Sequence, residues 1–189
     1  MKTLLYLMCS LAVVVVAGCQ TVPERPTQRA VLTDQVADTI AVFKQKDPGI
    51  QTFFDKSYGY AVLPKIAKGA FWFGAAYGRG EVYEQGKMVG YCDVKQATLG
   101  LSFGGEYFRE IVFFRDKSDI ARFKADEGFE FAAQATGVAA TEGAAAKHDY
   151  RDGMAVFVTT DKGLMVDLSL GGQKFLFVSK LDVTDTTKK

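Results

Sequence analysis

The sequence predicts an α+β fold: a single domain in which a curved, largely antiparallel, half-barrel-like β-sheet is flanked by a few helices. Three observations lead to this prediction. Apolar residues follow a helical period near the start of the chain and a period of two from Tyr60 onward. Most strand-like runs are joined by hairpin signals rather than by alternating helices. The 19 glycines, several of them inside alternating runs, are typical of crowded or curved β structure.

Residues 1–18 resemble the signal peptide of a bacterial lipoprotein and are left out of the fold. Lys2 supplies a positive charge, and the apolar stretch Leu4–Ala17 is too short for a comfortable bilayer span. The sequence Val-Ala-Gly-Cys that follows resembles a lipobox. We therefore predict that the mature chain begins at Cys19, which carries a diacylglyceryl group and an N-acyl chain. Two or three acyl chains on one residue anchor a protein stably in a membrane, whereas a single acyl chain gives only marginal binding.

The residue after the anchor predicts where the lipoprotein goes. Gln20 follows Cys19, and the absence of Asp here resembles the pattern of lipoproteins sorted to the outer membrane of Gram-negative bacteria. We expect the domain to face the periplasm. Apart from the anchor, Cys92 is the one thiol of the mature chain, so no internal disulfide is expected. A buried thiol is favoured over a reactive one at this position.

Two helices are predicted before the sheet. Residues 19–27 contain two prolines and little else that is apolar, which indicates a tether between the membrane and the domain at 28–180. The segment Gln28–Lys46 has one apolar stripe, which predicts an amphipathic helix. The stripe consists of Leu32, Val36, Ile40 and Phe43. Mixed charges on its polar face favour packing on the sheet over lying on a membrane. Asp47-Pro48 is a typical start for a second, short helix that ends before Gly59.

The strands are predicted from their alternation and their turns. An apolar run, Tyr60–Leu63, is expected to end at Pro64, with a basic turn at Lys65–Gly69 and a new strand at Ala70–Gly78. A helix is expected at Ser118–Ala125, and residues 181–189 are expected to be a frayed tail. Further strands are predicted at Glu81–Glu84, Met88–Cys92, Ala97–Gly104, Glu106–Phe114, Met154–Thr160, Leu164–Leu170 and Lys174–Val178, with hairpin turns at 85–87 and 161–163.

Two of these strands have one face of large and one face of small side chains. Ala70–Gly78 alternates aromatic residues with Gly and Ala, and Ala97–Gly104 repeats the arrangement. Bare backbone on one face lets another element approach closely. Phe129–Ala146 is rich in Ala but contains two glycines, so helix and strand both stay open for it. If this segment is a helix, we expect it to pack on the faces of small side chains of these two strands.

Several motifs, in order and at plausible spacings, resemble the SYLF domain family. They are Tyr60–Pro64, Ala67–Gly69, Gly78–Gly80, Gln85–Lys87, Leu101–Gly105, Ile111–Phe114, Lys162–Leu164 and Leu170–Gly172. The resemblance covers roughly Val31–Val178. It implies a lipid-binding domain, because the family is described as binding lipids and, in eukaryotic members, phosphoinositides. A Gly/Ala/Ser-rich insert found near residues 146–149 in many bacterial relatives is short here.

The residues themselves suggest where a lipid would bind. Lys65, Lys68 and Arg79 flank an aromatic segment that contains Trp72, the only Trp of the chain. Positive groups beside aromatic and apolar surface suit an anionic head group with its acyl chain. The alternative is that the aromatic residues belong to the core and the lysines only decorate a turn. The candidate lipid-binding residues are thus Lys65, Lys68, Trp72 and Arg79.

Other classes of function have little support in the sequence. The only histidine, His148, lies in a predicted loop and is interpreted as solvated, so neither acid–base catalysis nor a zinc site is indicated. The chain has 23 basic and 22 acidic residues, a balance that argues against nucleic acid as a partner. We expect a non-enzymatic protein without a metal or cofactor other than its acyl chains. Its expected partners are membrane lipids; the alternative is an envelope scaffold that binds a protein.

Overall fold

In the computed structural model the chain forms the predicted α+β fold, a single domain built on a curled and almost entirely antiparallel sheet. The structure describes residues 22–23, 25–70, 73–99, 104–125, 129–132, 137–139, 143–160 and 172–186. The predicted anchor Cys19 and the predicted site residue Trp72 lie outside these residues, as do the predicted strand Leu164–Leu170 and the turn at 161–163.

Five α-helices lie in the described ranges, and the first is the longest. It is α1 (Pro26–Lys46), which begins two residues before the predicted start. The others are α2 (Gln51–Lys56), α3 (Lys117–Phe123), α4 (Ala144–Lys147) and α5 (Lys180–Thr186). A single 3-10 turn, Pro48–Ile50, leads into α2, and the Asp47 side chain caps it as predicted by accepting a hydrogen bond from the Gly49 amide.

The described strands form one sheet in the order β5-β8-β3-β2-β1-β4-β7-β6. All neighbouring pairs are antiparallel except β6 and β7, which are parallel at one edge. The bounds are β1 Gly59–Ala70, β2 Phe73–Glu84, β3 Lys87–Leu99, β4 Gly104–Phe114, β5 Phe129–Ala132, β6 Gly137–Ala139, β7 Met154–Thr160 and β8 Gly172–Ser179.

The predicted break at Pro64 and the basic turn after it are wrong, because β1 continues through both to Ala70. The registers with β2 and β4 shift between Val62 and Lys65 and between Leu63 and Ile66. A proline, which has no amide hydrogen to donate, is tolerated in a central strand at such a bulge. The neighbouring strand fits closely here, because a Cβ atom on Gly80 would lie 2.2 Å from the Val62 carbonyl oxygen.

The sheet curls so strongly that its second and sixth strands touch. The Gln173 amide of β8 donates a hydrogen bond of 3.0 Å to Glu110 of β4. Four strand spacings separate these strands, which would be about 19 Å in a flat sheet. The concave inner face is therefore closed around an apolar core. Its largest members include Leu63, Phe108, Phe114, Phe123 and Phe175, and α3 covers one end with Ile120 and Phe123.

The convex outer face is covered along its middle by α1. Leu32, Val36 and Phe43 of the predicted stripe are buried against the sheet and Ile40 is partly buried, so this helix packs on its own domain as predicted. The Thr33 hydroxyl donates to Glu81 of β2 at 2.6 Å, and the Lys46 ammonium donates to Thr159 of β7 at 2.6 Å. The helix thus crosses the strands from β2 and β3 to β7.

The segment 129–146, for which the sequence allowed both helix and strand, is not one helix. Its described residues form the edge strands β5 and β6 and the short helix α4, so they contain no long helix that could pack on the small faces. The inward positions Ala76 and Gly78 instead face the core, where Ile66 lies against Gly78. At the other end of the segment, buried Asp47 holds α4 in place. Its two carboxylate oxygens accept hydrogen bonds from the amides of Gly143 and Ala145.

Three further regions differ from the sequence expectations. Val22 packs against the outer core and Pro23 is buried, so part of the expected tether belongs to the domain. Part of the expected tail forms α5, whose Val183 is buried. His148 is not a solvated loop residue, because its ring packs edge-on against Phe157 at 5.1 Å. The interpretation of Cys92 as a buried thiol is confirmed.

Candidate functional site

A band of positive charge lies on the outer face, beside α1. Each of five strands contributes one basic residue whose neighbours in sequence point to the core. In β4, for example, Phe108 and Glu110 are buried on the inner face, so Arg109 between them lies on the outer face. We call the basic band the residues Lys65, Arg79, Lys95, Arg109 and Lys174 together with the tyrosines Tyr77 and Tyr107.

The strand registers bring these residues together in two adjacent rows. Lys174 lies opposite Lys95, and Lys95 lies opposite Tyr77. Tyr77 and Tyr107 are both opposite Ala67, which completes the first row. In the second row Arg79 is paired with Lys65 across β2 and β1. Cross-strand neighbours have Cβ atoms about 5 Å apart, so the band is one continuous surface.

The tyrosines hold two of the cations in place. The Lys65 ammonium lies 4.1 Å from the centre of the Tyr107 ring, within the range of a cation–π interaction. The Arg79 guanidinium donates a hydrogen bond of 2.8 Å to the Tyr77 hydroxyl. Tyr107 is 55% exposed, although large apolar side chains are mostly buried in this domain. The band therefore combines positive charge with aromatic surface that is open to solvent.

Carboxylates neutralise the band only in part. Glu130 forms a 3.0 Å ion pair with Lys174, and Asp38 lies on the helix beside the band. Asp93, opposite Arg79, is fully buried. Within the described residues neither Lys65 nor Lys95 forms an ion pair, and both are exposed. Among the described residues of this surface, five cations against three carboxylates leave it positive, although the chain as a whole is nearly neutral.

A cleft of about 280 Å³ separates the band from α1. Its helix side consists of Gln35, Asp38 and Thr39, and its sheet side includes Lys65, Tyr107 and Arg109. A cleft with two cations and a tyrosine on one wall suits a small anionic group. The single carboxylate on the opposite wall would favour a group that also carries a hydroxyl or amine donor.

The sequence-predicted site residues divide between the two faces. Lys65 and Arg79 belong to the band. Lys68 shares the inner face with Ile66, since it is two positions from Ile66 and side chains alternate along the strand. Lys68 is partly buried, so the predicted group does not form one surface. Trp72 and Cys19 lie outside the described residues.

The inner face contains a buried polar layer at the level of Gln173. The Gln173 amide nitrogen bonds Glu110 at 3.0 Å and Gln96 at 3.4 Å, and all three side chains are buried. One oxygen of Glu110 and the oxygen of Gln173 have no hydrogen-bond partner within the described residues. Burial raises the pKa of Glu110 to about 7, although the Gln173 hydrogen bond acts in the opposite direction. A proton on Glu110 adds a donor to this layer.

These contacts fill one section of the interior. At the level of Gln173, buried side chains form hydrogen bonds across it. On the outer face, the described residues line an open cleft. Metal coordination has no support there, since no cluster of three or more His, Cys, Asp or Glu residues is found among them.

Comparison with known proteins shows a similarity to a bacterial protein. The chain is 30% identical to Beta cell expansion factor A of Aeromonas veronii over 172 residues, which are 88% of this chain and 63% of that protein. The chain thus spans less than two thirds of the length of the relative that it matches. No protein-family model matches, so the resemblance to the SYLF family stays a prediction. Among the described helices, none has the length and apolar character needed to cross a bilayer.

Proposed function

We propose that this protein is a bacterial lipoprotein, anchored through Cys19 in the outer membrane, whose domain binds anionic lipid without catalysis. The basic band is the observation that carries the proposal. Five cations and two tyrosines lie on one open surface, in a chain whose basic and acidic residues nearly balance. Each Lys or Arg near an anionic bilayer contributes about 1 kcal/mol, and tyrosine rings favour the level of the head groups.

The test uses the mature chain from Gln20 onward, produced without its leader, so that binding reports on the domain and not on the anchor. We expect it to co-sediment at low salt with vesicles that contain phosphatidylglycerol but not with pure phosphatidylcholine vesicles. Replacement of Lys65, Lys95 and Lys174 by Gln should lower binding by on the order of 100-fold, at about 1 kcal/mol per lysine.

A matched control removes the same charge elsewhere. Lys56, Lys87 and Lys117 are exposed at the opposite end of the strands, near the β2–β3 turn and the start of α3. Replacing these three by Gln should leave vesicle binding close to that of the unmodified chain. Equal loss in both triple variants would mean that only net charge matters and that the band is not a site.

A protein scaffold is the competing function. The basic band would then bind an acidic protein surface, because the described edge strands β5 and β6 have only four and three residues and offer little for strand addition. Cross-linking in intact cells distinguishes the two. Recovery of one stoichiometric protein partner, together with no binding to anionic vesicles, would overturn the lipid proposal in favour of the scaffold.

A further inference from the structure

The position of the amino terminus restricts how an anchored domain can meet a bilayer. Val22 packs against the outer core, Pro23 is buried, and α1 begins at Pro26. The link between the predicted anchor at Cys19 and the first packed residue therefore spans three residues. Fully extended, it reaches at most about 11 Å. A domain on such a short link cannot turn freely above the membrane.

The helix direction shows which side of the domain is anchored. Arg29, in the first turns of α1, interacts electrostatically with Tyr91 of β3, while Lys46 at the other end bonds Thr159 of β7. The helix thus starts over β3 and runs away from β8. The anchored side is consequently the β3–β8 side of the outer face, where α5 also lies against the sheet.

The basic band extends to this same side. Lys95 of β3 is paired with Lys174 of β8, and Lys95 lies four residues from Tyr91, which is about 13 Å along the strand. The distance is comparable to the reach of the link. The anchor and this end of the band can therefore meet one bilayer surface.

Exposed apolar side chains lie beside the band and beyond the far end of β8. Three large apolar side chains of the described residues are strongly exposed: Val31 at 54%, Tyr107 at 55% and Leu181 at 78%. Tyr107 belongs to the band. Val31 is on the side of α1 that also carries Gln35 and Asp38, which line the cleft next to the band. Leu181 is in the first turn of α5, on the same β3–β8 side but beyond the end of β8 where Ser179 pairs with Gly90, at least about 17 Å along the strand from Lys174. Apolar groups beside a basic surface fit the interface of a bilayer.

We propose that the basic band binds the same bilayer that holds the Cys19 acyl chains, with Lys95, Lys174 and Leu181 nearest to that membrane. The domain lies on its own membrane and does not reach across to a second one. This proposal rests on the lipid-anchored, lipid-binding function proposed above. Its occupant is the anionic head-group surface of the anchoring bilayer, which complements the positive charge of the band.

The full lipidated protein, reconstituted in phosphatidylglycerol vesicles, allows a direct test. Cys92 is completely buried and burial raises its thiol pKa, while Cys19 is blocked by its acyl group, so an introduced exposed cysteine can be labelled selectively. Fluorophores at Leu181→Cys and Lys95→Cys should lose fluorescence when spin-labelled lipid is added to the same vesicles. A fluorophore at Lys117→Cys, which follows β4 and is not on the β3–β8 side, should not.

Two further measurements separate this proposal from the function on which it rests. If the unlipidated mature chain binds anionic vesicles but the labels at 95 and 181 are not quenched in the lipidated protein, the orientation is wrong and lipid binding stands. If the labels are quenched but the unlipidated chain binds no vesicles, the orientation stands and lipid affinity is wrong. Aggregation of the loaded vesicles with protein-free anionic vesicles would show bridging between two membranes and overturn the proposal.

Discussion

The inner and outer faces of the sheet differ in how exposed their charged groups are. Among the described side chains, the inner face buries the carboxyl group of Glu110 among amides and apolar groups, where desolvation makes its ionised form costly. The outer face carries five cations, of which Lys65, Lys95 and Lys174 are exposed to water. A buried charge contributes to the stability of the fold, whereas an exposed charge contributes to what the fold can bind. Changes to the inner face should therefore alter stability, and changes to the outer face should alter binding.

The largest contrast should come from aromatic residues. Phe123 is 1% exposed on the inner side and lies within 6 Å of the rings of Phe114, Phe129 and Phe175. Phe123→Ala should lower the free energy of unfolding by about 3–5 kcal/mol, because it removes a large buried group and leaves a cavity. Tyr107→Ala on the outer face should change it by less than about 0.5 kcal/mol. Urea denaturation measures both. Similar losses would contradict the distinction between the faces.

The second contrast depends on pH. Glu110 has a pKa of about 7 in the folded protein and an ordinary value of 4.5. Between these values the folded state binds more protons than the unfolded state, so stability falls as the pH rises from about 4.5 through 7. The full loss, about 3 kcal/mol, applies above pH 7. Glu110→Gln should remove this loss and be more stable than the unmodified protein at pH 8 but similar at pH 4.

The comparison of the two unfolding curves isolates this one group. Within the described residues, Cys92 of β3 also faces the inner core, and Lys68 of β1 shares the inner face. Both are unchanged in Glu110→Gln, so the difference between the two proteins reports on Glu110. A pH-independent difference between the two proteins would show that Glu110 does not titrate in this range.

The smallest effect should be a single change in the band. Lys65→Gln should lower partition into phosphatidylglycerol vesicles about fivefold, which corresponds to about 1 kcal/mol, with little change in stability. Raising the salt concentration should shrink this difference, because exposed charges are screened. Lys56→Gln is the matched control with the same charge loss. An equal effect of both variants, or one that salt does not change, would argue against a localised band.

Local patterns predicted most of the fold. The stripe on α1, the Asp47 cap and the turn at residues 85–87 each depend on a few neighbouring residues, and all three occur in the structure. The break expected at Pro64 was wrong for a reason that is not local. A proline normally ends a central strand, but the shifted registers on both sides of β1 remove the need for its amide hydrogen.

The candidate site was only half predictable. Lys65 and Arg79 are close in sequence and were identified, but the band also needs Lys95, Arg109 and Lys174 from three other strands. Their proximity follows from strand order, which the sequence does not specify. A signal was nevertheless present, since each of these cations is flanked by residues that point inward. Lys68 was misplaced for the converse reason: the turn expected there concealed its place on an inward-facing position.

The buried carboxylate of Asp47 also has a consequence for the order of folding. Its partners, the amides of Gly143 and Ala145, follow it by 96 and 98 residues. Contacts over such separations form late, since a long loop must first close. A chain made or exported from its amino terminus has already released α1 and six strands before this contact can form. During that interval the carboxylate of Asp47, between α1 and the 3-10 turn, is without the two amides that it binds in the folded domain.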